Sequence, residues 1–135
     1  MQISAAKQRF SDDHVEISAI IGDVAGRDII VLDDEIARGS TVIELLERLR
    51  ERDARSVRIA CTHGLFSAGA LDRLNQRPDV REIVATNTVP IPAEKYVPKL
   101  KILSVAPALA EAMRRIHNGE SVSALFHPVD AGGTA

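Results

Sequence analysis

The chain has 135 residues, of which 45% are hydrophobic and 27% charged, with a formal net charge of −2. This length suffices for one domain with a hydrophobic core, and the small net charge gives no general attraction for nucleic acid or an anionic membrane. A single cysteine excludes an intrachain disulfide, and the lack of a long apolar run or signal-peptide core predicts a cytoplasmic protein with no membrane partner.

Short β-rich segments alternate with amphipathic helices along the chain, a pattern typical of a parallel sheet covered by helices. Strands are predicted at residues 14–21, 28–32, 56–62, 82–87 and 101–105. The first segment alternates apolar and polar residues and favours an edge or antiparallel strand, whereas the others are typical of strands buried on both faces. The pattern therefore predicts an α/β fold.

Three helices are predicted between and after these strands. The helix that begins near Thr41 has apolar residues spaced for one buried face, namely Val42, Leu45, Leu46 and Leu49, with an outward pair of Glu44 and Arg48. A shorter helix lies within 67–78. The third follows Pro107, stops at Asn118 and Gly119, and is expected to bury Leu109, Ala112, Met113 and Ile116. The proline-containing segment 89–100 predicts a surface loop, and residues 128–135 a disordered tail.

The stretch "IIVLDDEIARGST", residues 29–41, places two adjacent aspartates at the end of the most apolar strand. Ligands of open α/β sheets bind beyond the carboxyl ends of the strands, where this stretch is expected to lie. Gly39 permits close approach of a ligand to the backbone, the first amides of the next helix favour an anion, and Ser40 and Thr41 add hydroxyl donors. Asp33 and Asp34 are suited to accept hydrogen bonds from sugar hydroxyls or to help hold a hydrated Mg²⁺.

These features predict a ribose-phosphate site. The alternative is a tight turn in which an aspartate and a threonine cap the helix.

The same stretch resembles the phosphoribosyl pyrophosphate binding motif of type I phosphoribosyltransferases and ribose-phosphate pyrophosphokinases. Flanking segments resemble, in order and spacing, the C-terminal domain of phosphoribosyl pyrophosphate synthetase from about Lys7 to Phe126: "AKQRF", "IIGDVAGRD", "ACTHGLFSAGALDRL", "VATNTVP" and "LAEAMRRIHNGESVSALF". The resemblance implies a three-layer sandwich with a mainly parallel sheet, phosphoribosyltransferase-like but incomplete, within residues 1–127. The first strand, pyrophosphate loop and helix of that domain have no counterpart here.

That family transfers pyrophosphate from MgATP to ribose 5-phosphate, which makes it a kinase-type transferase of nucleotide biosynthesis. The resemblance implies that Asp33 and Asp34 contact the ribose hydroxyls or the metal. It assigns the 5-phosphate to the loop Ala37, Arg38, Gly39, Ser40 and Thr41. Lys7 and Arg9 align with cations of the family's mobile catalytic loop, which are expected to stabilise charge on the transferring phosphoryl group.

Three loop residues depart from the family pattern. Ala37, Arg38 and Ser40 stand where the family usually has aspartate, threonine and glycine. Ala37 removes a carboxylate from the sugar loop, and Arg38 either adds a cation near the phosphate or points to solvent.

The end of the chain resembles a segment that forms a subunit interface and a regulatory nucleotide or phosphate site in this family, here Ser121, Val122, Ser123 and Phe126; the alternative is a strand or coil docked on the core. The family's ATP site comes largely from its first domain and a neighbouring subunit. We therefore expect the isolated chain to be inactive and to work as a homo-oligomer or with a partner subunit. A noncatalytic regulatory subunit and a small phosphoribosyltransferase are the alternatives.

The one cysteine and the four histidines are not predicted to be catalytic residues or metal ligands. Cys61 is expected to be a core residue rather than a nucleophile. His63 follows a strand end and is expected to bond its own backbone rather than touch substrate. His14, His117 and His127 lack the spacing of zinc ligands.

Overall fold

The computed structural model of the chain describes the backbone of residues 4–9 and 15–126 and the side chains of residues 22–126. The chain divides into two compact units, Met1–Leu103 and Ser104–Ala135. The tail predicted at 128–135 and the domain limit predicted at residue 127 lie outside the described residues, and so do His14 and His127.

The chain begins with an antiparallel hairpin. Strand β1 (Ser4–Arg9) pairs with β2 (Val15–Ile21) in a two-stranded sheet, with an irregularity in register between Ala6 and Lys7. The antiparallel strand predicted from the alternating pattern at 14–21 is therefore confirmed. The backbone of Lys7 and Arg9, expected in a loop, lies in strand β1, because the pairing of Arg9 with Val15 carries the ladder to the end of this segment.

A four-stranded parallel sheet forms the centre of the first unit. Its strands follow the chain order, with β3 at Asp28–Ile36, β4 at Ser56–Gly64, β5 at Val80–Thr86 and β6 at Leu100–Leu103. The register places Asp33 beside Cys61 and Cys61 beside Ala85, so the carboxyl ends of neighbouring strands meet at one edge. The predicted α/β fold with a mainly parallel sheet is confirmed.

Two helices of the first unit contribute to its core. Helix α1 (Ser40–Glu51) buries Val42, Leu46 and Leu49, as its spacing predicts, and its outward Arg48–Glu44 ion pair has an N–O distance of 3.3 Å. Helix α2 (Ala70–Gln76) buries Ala70, Leu71 and Leu74. Burial of each large aliphatic side chain stabilises the fold by about 1.5–3 kcal/mol. The helices share a single hydrophobic cluster with alternate sheet residues, among them Ile29, Val31, Val57, Ile59 and Ile83.

The opposite face of β3 is open. Ile30 is 65% exposed and Leu32 is 78% exposed, whereas a three-layer sandwich predicts buried residues at these positions. Farther across the same face Glu82 forms ion pairs with Arg58, at 3.8 Å, and with Lys101. The helix-covered face therefore supplies the core of this unit.

The second unit contains helix α3 (Ala106–His117), with Pro107 in its first turn. The helix stops where predicted, since Gly119 adopts a left-handed conformation with φ +69°. The prediction that α3 buries an apolar stripe is wrong: no residue of the helix is buried, and Leu109, Met113 and Ile116 are 58%, 64% and 67% exposed. The reason is that the described part of this unit offers, besides α3, only a short 3₁₀ turn at Ser123–Leu125. No helix in the described part of the chain is both long and apolar enough to cross a membrane.

Candidate functional site

The two adjacent aspartates lie inside strand β3, not beyond its end. The strand was predicted to stop at Leu32, but it continues to Ile36 because β4 also continues and supplies partners, with Glu35 opposite His63 and Ile36 opposite Gly64. Asp33 pairs with Cys61 of β4, and Asp34 lies between the paired residues Asp33 and Glu35, near the carboxyl edge of the sheet. Asp33 is half-buried and Asp34 is exposed.

The carboxylates are oriented by backbone amides. The Asp34 amide donates to Oδ1 of Asp33, and the Glu35 amide donates to Oδ1 of Asp34, both at 2.9 Å. A side-chain hydrogen bond with Asp33, together with the backbone amides of Glu35 and Asp34, lowers the pKa of Asp34 from its ordinary value. The Asp34 carboxylate is therefore ionised at neutral pH and acts as a hydrogen-bond acceptor.

Helix α1 begins without a side-chain cap. Gly39 is its N-cap residue, has a left-handed backbone with φ +73°, and accepts a hydrogen bond from the Ile43 amide at 2.9 Å. The alternative in which an aspartate or threonine caps this helix is therefore wrong. Because the first amides of a helix have no partner within it, the start of α1 presents donors suited to an anion.

The loop before α1 is held by the segment 65–73. Three consecutive carbonyls of the loop, those of Ile36, Ala37 and Arg38, accept hydrogen bonds from it. The Ile36 carbonyl accepts from the Leu65 and Phe66 amides at 3.0 and 3.1 Å. The Ala37 carbonyl accepts from the Ser67 amide at 3.0 Å, and the Arg38 carbonyl accepts from the Arg73 guanidinium at 2.5 Å. Gly39 is buried against α2, where a Cβ atom would lie 3.2 Å from Cβ of Ala70.

A second polar group lies at the ends of β4 and β5. Nδ1 of His63 is 2.9 Å from Oγ1 of Thr88, which in turn donates to the Thr62 carbonyl at 2.9 Å. Oγ1 of Thr86 donates to the same carbonyl at 2.7 Å. The prediction that His63 bonds its own backbone is wrong, because His63 lies within β4, next to the turn after β5. Thr86 and Thr88 were not among the predicted site residues, although "VATNTVP" includes the end of the strand predicted at 82–87 and so had to reach the same edge of the sheet.

The remaining predicted site residues lie elsewhere in the chain. Lys7 and Arg9 are described only by their strand backbone. The predicted regulatory residues Ser121, Val122, Ser123 and Phe126 belong to the second unit. There the Ser121 carbonyl accepts a hydrogen bond from Arg115 at 3.1 Å, and Phe126 is 81% exposed.

Metal and thiol chemistry receive limited support from the described side chains. Among residues 22–126 no group of three or more His, Cys, Asp or Glu side chains is arranged to hold a metal ion. The contribution of Asp33 and Asp34 to a Mg²⁺ site therefore stays a prediction. Cys61 is buried, and this burial, followed by the nearby Asp33 charge, raises the pKa of its thiol to about 11. Cys61 is therefore a core residue, as predicted.

A cavity of about 380 Å³ lies beside helices α1 and α2, lined by Ile43, Arg50, Arg73, Gln76, Arg77, Pro78 and Asp79. Its arginines already have partners. Arg77 pairs with Glu47 and with Asp79, the latter at 2.8 Å, and Arg50 pairs with Glu47 at 2.9 Å. This pairing neutralises much of the positive charge of Arg50 and Arg77.

Comparison with known proteins agrees with this geometry. Residues 10–127 match the family model of the phosphoribosyl synthetase-associated domain. A Streptomyces coelicolor protein, to which ribose-phosphate pyrophosphokinase activity is provisionally assigned, is 70% identical over 132 residues, or 97% of this chain. The ribose-phosphate pyrophosphokinase of Caldanaerobacter subterraneus is 42% identical over 120 residues, or 89% of this chain.

A solved structure is also similar. The crystal structure of phosphoribosylpyrophosphate synthetase from Mycobacterium smegmatis matches with a TM-score of 0.70 and 36% identity, covering 85% of this chain and 37% of that one. The chain spans 42% and 38% of the lengths of the two curated relatives. By its matched domain and these relatives, the chain belongs to the ribose-phosphate pyrophosphokinase family.

Proposed function

We propose that the chain binds ribose 5-phosphate at the carboxyl edge of its parallel sheet. One observation carries the proposal: the two aspartates of β3 are followed, two residues later, by a loop in which the Ala37 and Arg38 carbonyls bond to the segment 65–73 behind it. Carboxylates accept hydrogen bonds from a sugar diol, and a loop of oriented amides at a helix start binds phosphate. Both halves of a ribose phosphate thus have a complementary surface within one short stretch of chain.

Different groups of the protein are proposed to bind the two ends of the ligand. The 5-phosphate is assigned to the loop Ala37–Thr41, with amides of the loop and of the first turn of α1 as donors and with the Ser40 and Thr41 hydroxyls beside them. The ribose hydroxyls are assigned to Asp33 and Asp34. Asp34 is exposed and its carboxylate is ionised at neutral pH, as an acceptor of sugar hydroxyls must be.

The names of the relatives suggest the reaction to which this site contributes. A ribose-phosphate pyrophosphokinase moves pyrophosphate from ATP to ribose 5-phosphate, and MgATP is the donor that we propose here. Lys7 and Arg9 are proposed to stabilise charge on the transferring group. Ser121, Val122, Ser123 and Phe126 are proposed to form an interface or regulatory nucleotide site. Because the matched relatives are more than twice as long, we expect ATP-binding residues to come from another segment or subunit.

A second candidate is a noncatalytic subunit that binds ribose phosphate and regulates a synthetase. Ala37 favours it, since this loop position has no carboxylate to contact the sugar. A small phosphoribosyltransferase remains a third possibility that shares the phosphate loop, but the names of the relatives favour the first two.

Calorimetry and an activity assay test the proposal together. Titration of ribose 5-phosphate into the purified chain should give saturable binding, and the double substitution Asp33→Asn and Asp34→Asn should weaken it about tenfold or more, since each lost charged hydrogen bond contributes about 1.5–3 kcal/mol. No saturable binding by the wild-type chain would contradict the proposal.

An activity assay can exclude the noncatalytic candidate. AMP formation from MgATP and ribose 5-phosphate should be absent for the chain alone. If AMP forms and Lys7→Ala abolishes it, the site is complete between copies of this chain, and the noncatalytic candidate is wrong.

A further inference from the structure

We propose that Arg73, on helix α2, is a positioning residue for the phosphate loop. Its guanidinium donates to the Arg38 carbonyl at 2.5 Å, across a sequence separation of 35 residues. The inference rests on the proposed function, because its consequence is measured as ribose 5-phosphate binding. Arg73 itself contacts the back of the loop rather than the ligand.

The geometry of the peptide unit connects the carbonyl that Arg73 holds to an amide of the loop. A trans peptide is planar, so its C=O and N–H groups point in opposite directions. The Arg38 carbonyl belongs to the same peptide unit as the Gly39 amide. When Arg73 holds that carbonyl toward α2, the Gly39 amide is directed to the other side of the loop, where the phosphate is proposed to bind.

The two preceding peptide units are held in the same way by backbone groups. Backbone amides bond the carbonyls of Ile36 and Ala37, which directs the Ala37 and Arg38 amides away from the segment 65–73. Those anchors cannot be removed by a side-chain substitution. The third donor, Arg73, is a side chain. It bonds the carbonyl of the Arg38–Gly39 peptide, and Gly39 is the residue with the least steric restriction in the loop.

Packing places Arg73 where this bond can form. Gly39 lies against Ala70, and Ala70 and Arg73 are three residues apart on α2, so they occupy neighbouring positions on one side of the helix. The Gly39 backbone therefore rests on the first turn of α2 while the guanidinium reaches back to the preceding carbonyl. Without the guanidinium, packing still seats the loop but no longer fixes the orientation of the Arg38–Gly39 peptide.

The test compares three variants by calorimetry with ribose 5-phosphate. Arg73→Met, which keeps the length and apolar stem of the side chain, should weaken binding about tenfold or more, the equivalent of one charge-assisted hydrogen bond. Arg73→Lys retains a donor and should recover most of the affinity. Arg50→Met is the matched control, because Arg50 lines the same cavity and its loss changes the net charge equally.

Hydrogen exchange of the unliganded variants separates this inference from the proposed function. Amides of the peptide covering residues 37–41 should exchange faster in Arg73→Met than in Arg50→Met, whether or not ribose 5-phosphate binds. Equal exchange in the two variants, or equal losses of affinity, would overturn the positioning role. If the wild-type chain fails to bind ribose 5-phosphate while Arg73→Met alone speeds exchange, the proposed ligand is wrong and the positioning role stands.

Discussion

Nδ1 of His63 lies 2.9 Å from Oγ1 of Thr88, and this contact joins the end of β4 to the turn that follows β5. Thr88 also donates to the Thr62 carbonyl, so one hydroxyl connects a side chain and a backbone group of the same strand. The end of β4, which pairs with β3 next to Asp33, is thereby fixed to the turn after β5.

The first prediction concerns this connection. Thr88→Val removes the hydroxyl and should lower the free energy of unfolding by about 1 kcal/mol, the net value of an ordinary hydrogen bond. Thr62→Val is the control, because it leaves the accepting carbonyl in place. Urea denaturation measures both, and equal stability of the Thr88→Val and wild-type chains would contradict the role of this hydroxyl.

Gly39 provides the second prediction. Gly39→Ala places a Cβ at φ +73° and within 3.2 Å of Cβ of Ala70, so it should destabilise the fold by about 1–3 kcal/mol and also weaken ribose 5-phosphate binding. Gly119→Ala is a matched control, since φ is +69° and no heavy atom outside its chain neighbours lies within 4 Å of the added Cβ. It should cost stability without changing affinity. Equal affinity losses in both variants would mean that Gly39 has no special place in the site.

Arg77 gives the third prediction, through its bonds to Asp79 and Glu47. Burial raises the pKa of Asp79, but the hydrogen bond and charge of Arg77 outweigh it and leave that pKa below the ordinary value of 3.8. A lowered carboxylate pKa stabilises the fold above the unfolded pKa, and this stabilisation is lost as the pH falls through the folded pKa. The wild-type chain should therefore lose stability below about pH 4.

Arg77→Met should lower the free energy of unfolding at pH 7 by about 2 kcal/mol, because the half-buried Asp79 carboxylate loses its ion pair with Arg77 and Glu47 keeps only Arg50. Arg77→Met should also reduce the loss of stability between pH 6 and pH 3, because this loss comes from protonation of the carboxylates that Arg77 binds in the wild-type fold. Urea denaturation at the two pH values measures both effects. An unchanged pH dependence in the variant would show that these ion pairs do not contribute to acid sensitivity.

The exposed stripe of α3 gives the fourth prediction. Leu109→Gln should change the free energy of unfolding by less than about 0.5 kcal/mol because Leu109 is 58% exposed. Leu46→Ala, in a fully buried position of α1, should cost about 2–5 kcal/mol. A loss near 2 kcal/mol for Leu109→Gln would show that the stripe is covered in solution, and sedimentation at several concentrations would then identify association between copies.

Periodicity predicted most of the fold because local patterns determine it. The buried face of α1 and the antiparallel β2 follow directly from the spacing of their apolar residues. The length of β3 did not, since Asp33 and Asp34 have low strand propensity and stay in the ladder only because β4 provides partners. Burial of the apolar stripe of α3 was predicted wrongly. An amphipathic pattern predicts a face suited to burial but does not identify what covers that face.

Only the part of the candidate site that is local in sequence was predicted. The carboxylates and the loop before α1 are contiguous in sequence, so a motif reveals them. Arg73 and Thr88 reach the site across 35 and 25 residues of sequence, respectively, and only the pairing of β3, β4 and β5 brings them there. Contacts of this kind depend on strand order, which the sequence pattern leaves open.

The most direct test of the central claim is an NMR titration of the ¹⁵N-labelled chain with ribose 5-phosphate. We expect saturable shifts of the backbone amides of residues 37–41, together with those of Asp33 and Asp34. Ribose without phosphate should produce much smaller changes at 37–41. Shifts confined to other parts of the chain, or no saturable shift at all, would contradict the assignment of the ribose-phosphate site to this loop.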